Sequence, residues 1–534
     1  MTPISQKESP GRHNNNMTAT DVQPFDPATD TGFFGHPRGL LVCFATELWE
    51  RFSFYGMKYL LLLYLTKYHL FTDSNGLEVL GSYAALVYAM PVIGGLLADR
   101  YLGMRKAVVF GGILLVLGHL GMAVEGEQAS NQGGQILRDE GALQVFYFSL
   151  ALIVIGVGFL KPNISTIVGR LYSEDDPRRD SGFTIFYMGI NLGAFTATLL
   201  CGYLGETFGW RYGFGAAGIG MLIGLTTFLS GQRHLHGHAE PHDPAILRVK
   251  SVLGISKELT IYLCGLLGVV AAWQMLQFHG AVGHLLHIMS VGVLLGLGWF
   301  VMVKCNPVER GRMIVLIILT MSTVVFWALF EQSAASMTLF ADRVMDRNIL
   351  GMELTASQFG ALNSFFIFLF APLFAWLWMA LGRRGLEPTT PVKFALGIAQ
   401  AGLGFGALVI GAASPNEAGL VAGYWMVLAY LLHTAGELCL SPVGLSAVTK
   451  LAVPSVVGVM MGSWFLATAY SEFVAVQLSK MAAMETVDGT VADVGTALAG
   501  YTSLFTDLFY VGLGFGALLL VASPILKKMM HGVH

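Results

Sequence analysis

The chain reads Glu47-Leu48-Trp49-Glu50-Arg51-Phe52-Ser53-Phe54-Tyr55-Gly56-Met57-Lys58 within an otherwise apolar stretch running from Gly39 to Leu65. On a helix, Glu47, Glu50, Arg51, Phe54 and Lys58 fall at i, i+3, i+4, i+7 and i+11 and share one face. Leu48, Trp49 and Phe52 are left for the other faces. A bilayer-spanning helix with one charged stripe has to turn that stripe toward a polar interior, because an ion facing hydrocarbon is strongly disfavoured. Other helices must therefore enclose it.

The composition supplies those helices. The 534 residues are 54% hydrophobic and 12% charged, with a mean hydropathy of +0.63. Soluble chains carry roughly 25% charged residues, so the surface of this one is expected to face lipid. A net charge of -3 is too small to point to nucleic acid or an acidic substrate. Cys43, Cys201, Cys264, Cys305 and Cys439 are scattered, with neither a disulfide framework nor a metal-ligand spacing. Residues 1–35 are polar and lack a basic-then-apolar leader, which predicts a disordered cytoplasmic tail.

Fourteen stretches reach the ~20 apolar residues of a transmembrane helix. They lie near 39–67, 77–98, 105–125, 142–169, 182–205, 211–231, 259–278, 281–303, 312–341, 355–381, 391–412, 418–449, 455–480 and 499–525. Lys and Arg crowd alternate loops, nineteen against six, the poor set being Lys67, Arg138, Arg211, Arg343, Arg347 and Lys480. By the positive-inside rule both termini are cytoplasmic. The grouping predicts an all-α membrane protein built as two six-helix bundles, 36–231 and 304–534. Between them come a polar linker, 232–258, and an inserted two-helix hairpin, 259–303. Uncharged from Thr260 to Met302, that hairpin is expected to face lipid as an accessory. Two related halves around a central cavity are the plan of many secondary transporters.

Particular residues carry a resemblance. Gly94-Gly95-Leu96-Leu97-Ala98-Asp99-Arg100 with Arg105-Lys106 resembles the loop signature of the major facilitator superfamily. Glu47-Leu48-Trp49-Glu50-Arg51-Phe52-Ser53-Phe54-Tyr55-Gly56 is similar to the first signature of the proton-coupled oligopeptide transporter family, and Phe186-Tyr187-Met188-Gly189-Ile190-Asn191-Leu192-Gly193-Ala194-Phe195 to its second. Lys161-Pro162-Asn163, Glu331-Gln332, Gly436-Glu437 with Ser441-Pro442, and Gly462-Ser463-Trp464-Phe465 also match in order. The chain departs from that pattern at Phe54, where the family has a tyrosine, and at Lys58, where many members have arginine. A lysine keeps the charge but cannot grip a carboxylate with two parallel hydrogen bonds.

Seven charges fall well within spans: Glu47, Glu50, Glu331 and Glu437 against Arg51, Lys58 and Lys161. The surplus carboxylate is costly to bury ionised, so one glutamate is expected to hold a proton for part of a cycle. The resemblance implies that Glu47, Glu50 and Arg51 form a proton-responsive network facing Lys161, and that protonation of Glu331 loosens a salt bridge between the halves. It further implies that Glu437 holds a peptide amino terminus, and that Lys161 and Lys58 hold its carboxylate. Tyr55, Tyr88, Asn163, Asn191 and Asn363 would bond the peptide backbone, and Trp327, Trp464 and Phe465 would offer apolar walls. Plainer roles stand beside these. The first cluster could be a structural ion pair, the asparagines interhelical bonds, and Trp464 packing. Asp99 and Arg100 sit at a helix end and orient helices rather than touch substrate. His433 is either a pocket residue or a satisfied polar contact. Glu472 is either a fifth cavity carboxylate or a side chain reaching the surface.

The resulting expectation is proton-driven uptake of di- and tripeptides by a monomer in the bacterial inner membrane. Protons are the coupling ion; no cofactor, metal or nucleic acid is expected, and lipid is the surrounding partner. Nitrate or a peptide-like compound is the alternative solute. With no nucleophile elbow, metal-ligand cluster or cofactor loop, no enzymatic activity is expected. His234, His236 and His238 lie in the linker and do not define a site alone.

Overall fold

The computed structural model describes residues 30–173, 175–241, 243–250, 254–487 and 489–533, so most of the expected amino-terminal tail lies outside the described residues. Its last six residues are tied down rather than free. The Asp30 carboxylate accepts the Arg38 backbone N–H at 2.9 Å, and Phe33 pairs with His36.

The first six spans are α1 (Arg38–Leu63), α2 (Asp73–Leu97), α3 (Met104–Met122), α4 (Glu140–Arg170), α5 (Arg179–Phe208) and α6 (Trp210–Gly231). A short α7 (Pro244–Arg248) precedes the hairpin α8 (Lys257–Gln277) and α9 (His279–Val303). The second half holds α10 (Pro307–Phe330), a short α11 (Ser336–Arg343), α12 (Ala361–Arg383), α13 (Thr390–Ala412), α14 (Tyr424–Leu451), α15 (Val457–Ser479) and α16 (Val494–Met529). Among the described residues, thirteen helical segments are long and apolar enough to cross a membrane. The charges of α1 set it apart from these. Side-chain caps start several spans, as Thr72 does for α2 and Asp139 for α4, and Asn306 with Glu309 forms a full capping box on α10.

Two expectations change. The span near 312–341 is broken: α10 ends at Phe330, a 3-10 turn covers Glu331–Ala334, and Ala335 (φ -117°, ψ -104°) separates it from α11. Tertiary bonds hold the break, with the Gln332 amide donating to the Ala475 carbonyl at 2.9 Å and accepting from Ser479 at 2.7 Å. The linker is not simply solvated either. Arg105 pairs with Glu240, Lys106 with Glu258 at 2.6 Å, and Leu235, Ala239 and Leu247 are buried.

Within the first half α1 packs on α5 and α6, and α3 on α4; within the second α13 packs on α14 and α16. The halves meet through α2 against α15 and α5 against α12. The hairpin leans on both: α8 on α4, and α9 on α15, where Gly283 lies against Phe473. Close approach of α2 to α4 has a local cause. Pro162 has no N–H to give the Gly158 carbonyl four residues earlier, and a Cβ at Gly94 would strike that carbonyl.

The bonds that join the halves cluster at one end, where α1 runs into α2. Asp73 and Arg343 form a buried two-pronged pair at 2.6 and 2.7 Å. Lys67 bonds Asp342 at 2.7 Å, Lys480 bonds Glu78, Glu206 accepts from the Ser357 backbone at 2.9 Å, and Gln358 donates to the Leu199 carbonyl at 3.0 Å. We call this the latched end.

The glycine packing gives a paired test. Gly94→Val should overpack α2 against α4, with a penalty of about 1–3 kcal/mol and a lowered melting temperature for the detergent-solubilised protein. Gly458→Ala, at a helix position with open space around it, should hold or raise that temperature. A thermal-shift measurement on both variants checks the contrast.

Candidate functional site

Midway along the spans, side chains of both halves face one another. On α1 the Arg51 guanidinium bonds Glu50, with Nη2 2.6 Å from Oε1, and its Nε lies 3.3 Å from Glu47 Oε1. All three are buried, and the i,i+4 and neighbouring positions let one helix neutralise most of its own charge. The second oxygen of Glu47 makes no hydrogen bond among the described residues. Lys161, from α4, lies within electrostatic reach of this cluster. It forms no ion pair among the described residues and rests 4.9 Å from the centre of the Tyr88 ring.

One and two turns nearer the latched end the pattern differs from the expectation. Lys58 is not free to meet a ligand: its ammonium donates to Glu331 at 2.6 Å and to Glu472 at 3.3 Å. Glu331 sits where α10 breaks and Glu472 lies on α15, so both acceptors belong to the second half. In this conformation Lys58 is part of the latch. The two readings left open for Glu472 resolve the same way, since it faces inward and is buried.

Across the cavity Glu437, from α14, accepts from the Asn363 amide at 2.9 Å, and the same amide lies 3.2 Å from Thr434 Oγ1. No cation pairs with Glu437 among the described residues. Tyr55 lies within electrostatic reach of Arg51, Lys58, Glu331 and Glu437. Tyr187 was not singled out from the sequence, yet it neighbours Glu437, Tyr55 and Asn191. It is 44% exposed, in the first third of α5. The signal was available, since Tyr187 lies inside the Phe186–Phe195 motif.

Other expected site residues are placed differently. The amides of Asn163 and Asn191 donate to carbonyls one turn back on their own helices, Phe159 at 2.7 Å and Tyr187 at 3.1 Å, and both are buried. Trp464 is buried against Gly444 and the Phe394 ring, a packing position, whereas Trp327 is half-buried among Phe326 and Phe330. His433 Nε2 meets the Ala401 carbonyl at 3.0 Å and its ring is tilted against Phe405, while its Nδ1 makes no hydrogen bond among the described residues; it is a buried contact within the second half. Asp99 and Arg100 are exposed in a wide helical turn, Ala98–Leu102. Among the described residues no group of three or more His, Cys, Asp or Glu could hold a metal.

Comparison with known sequences fits this geometry. The sequence profile of the POT family matches residues 105–496. The chain belongs to the POT family. It is 38% identical over 512 residues to the uncharacterized transporter YclF of Bacillus subtilis, covering 94% of this chain and 96% of that one. It is 34% identical over 524 residues to a di-/tripeptide transporter of Lactococcus lactis, covering 94% and 98%. Among solved structures, the peptide transporter POT in a mutant form with alafosfalin superposes with a TM-score of 0.78 at 35% identity, covering 95% of this chain and all of that one. In this POT-family chain the break between α10 and α11 delivers Glu331 to Lys58, and the first signature supplies the mid-cavity charges.

The latch predicts a response to substitution. Asp73→Asn leaves the Arg343 guanidinium buried beside a neutral amide, and losing one partner of such a pair costs about 3–5 kcal/mol. The latched end should then part more readily. Spin labels at Asn131 and Glu417, exposed on opposite halves, should report a longer distance population in the variant than in the parent chain.

Proposed function

We propose that this POT-family chain carries di- and tripeptides into the cell together with protons, by alternating access. One observation carries the substrate reading: Lys161 and Glu437 stand on opposite halves of an open cavity, each without an ion-pair partner among the described residues. A zwitterion brings a carboxylate to the first and an ammonium to the second, each contact being a charge-assisted hydrogen bond. Fixing the two ends and the shared backbone leaves the peptide side chains loosely read by Tyr55, Tyr88, Tyr187 and Trp327. An anion such as nitrate would find no use for Glu437; a peptide-like zwitterion would.

In this reading protons are the coupling ion and no further cofactor takes part. Glu47, Glu50 and Arg51 form the responsive network. Protonation of Glu331 weakens its hold on Lys58 and lets the halves rock. Loop charges support an arrangement with both termini and the open end in the cytoplasm and the latched end outside. We place the chain as a monomer in a bacterial inner membrane. Segments 36–231 and 304–534 are its moving halves, 232–258 a docked linker and 259–303 an accessory hairpin against lipid. It makes and breaks no covalent bonds.

Purified protein in liposomes should accumulate labelled dialanine under an inward proton gradient and stop when the gradient is collapsed. Accumulation that persists after collapse, or none at all by folded protein, refutes the reading. Glu50→Gln should abolish gradient-driven accumulation. Glu437→Ala should instead weaken binding: loss of a charged hydrogen bond is worth about 1.5–3 kcal/mol, roughly ten- to a hundredfold in Kd, as read by calorimetry.

A further inference from the structure

Glu472 is a carboxylate that neither the sequence motifs nor the transport reading requires. Its surroundings are specific. From α1 comes Lys58, at 3.3 Å; from the break after α10 comes Glu331, itself 2.6 Å from Lys58. From α2 come Tyr83 and Tyr88, both within electrostatic reach of Glu472. Two neighbouring elements supply groups that turn elsewhere: His287 of α9 meets the Tyr470 hydroxyl at 3.3 Å, and Tyr430 of α14 meets the Ser333 carbonyl at 3.5 Å. The Tyr83 hydroxyl is fully buried and makes no hydrogen bond among the described residues. Both this group and the Glu50–Arg51 pair lie within its electrostatic reach.

Two carboxylates on one ammonium leave a net charge of -1 in a buried place, where ionised groups are disfavoured. The arrangement also changes what a single proton can do. If Glu331 alone is neutralised, Glu472 still holds Lys58 to the second half, and the reverse is equally true. We propose that Glu472 is a second proton-accepting carboxyl of the latch, so that Lys58 is released only when Glu331 and Glu472 are both protonated. Each proton arrives from solution and forms an O–H bond on a carboxylate oxygen. The Lys58 ammonium keeps its own protons and loses both acceptors. Release then takes two protons, and opening follows proton concentration with an order above one.

This inference rests on the proton-coupled transport reading, and two measurements separate their failures. In liposomes, the initial rate of dialanine uptake by the parent chain should rise with proton concentration with an order above one on the alkaline limb of its pH profile. Glu472→Gln should bring that order to about one and lower the proton-to-peptide ratio, read from the reversal potential, by one proton. Glu472→Asp should restore the steeper profile. An identical order and ratio in the parent chain and E472Q overturns the inference while leaving transport intact. No gradient-driven uptake by the parent chain overturns both. If E472Q does not yield monodisperse protein, the parent chain still decides: spin labels at Asn131 and Glu417 should show opening with a proton order above one, and an order of one refutes the second carboxyl.

Discussion

A single ammonium, that of Lys58, ties the two halves together at the roof of the cavity. Its position is forced from both sides. It rides on the helix that also carries Glu47, Glu50 and Arg51, so it cannot leave the interior without exposing that stripe to lipid. Its acceptors sit on α15 and at the break after α10, so it cannot be satisfied without closing the halves. Satisfaction of one buried charge and closure of the latched end are thus the same event. The surrounding pairs, Asp73 with Arg343 and Lys67 with Asp342, extend that event outward to the surface.

The helical stripe of α1, the number of spans and the two-half plan were legible in the sequence. Each rests on local periodicity or on the cost of burying charge, and both can be counted along the chain. The partners of Lys58 were not, because they lie 273 and 414 residues away and no spacing rule connects them. Nor was the break at Glu331–Ala335. That segment reads Glu331-Gln332-Ser333-Ala334-Ala335, with no proline or glycine to announce it, and Gln332 holds it open only through contacts with α15. Tyr187 was hidden for the opposite reason. It lay in full view within a recognised motif, but which of its residues face the cavity depends on how α5 is rotated. Asn163 and Asn191 were assigned through the resemblance, and their bonds to their own helices are a choice that a motif alone does not reveal.

The cavity wall divides its work by chemistry. In the proposed function, charged groups at fixed positions read the ends of a solute, while Tyr55, Tyr88, Tyr187 and Trp327 offer ring faces that tolerate many shapes. Packing does the rest. Gly94 against Gly158 and Trp464 against Gly444 bring helices close enough that the charged groups cannot drift. Precision in the site therefore depends on small residues that never touch the solute.

The contrast between the two ends of the α1 stripe bears on how the chain is made. Glu50 and Arg51 neutralise each other on one helix, so that part can enter the bilayer as soon as it is synthesised. Among the described residues, Lys58 has no acidic partner in the first half. Until α10 and α15 have been synthesised and inserted, its charge must stay in the headgroup region at the helix end or draw water with it. Assembly of the first half is left unfinished by one residue, and arrival of the second half completes it.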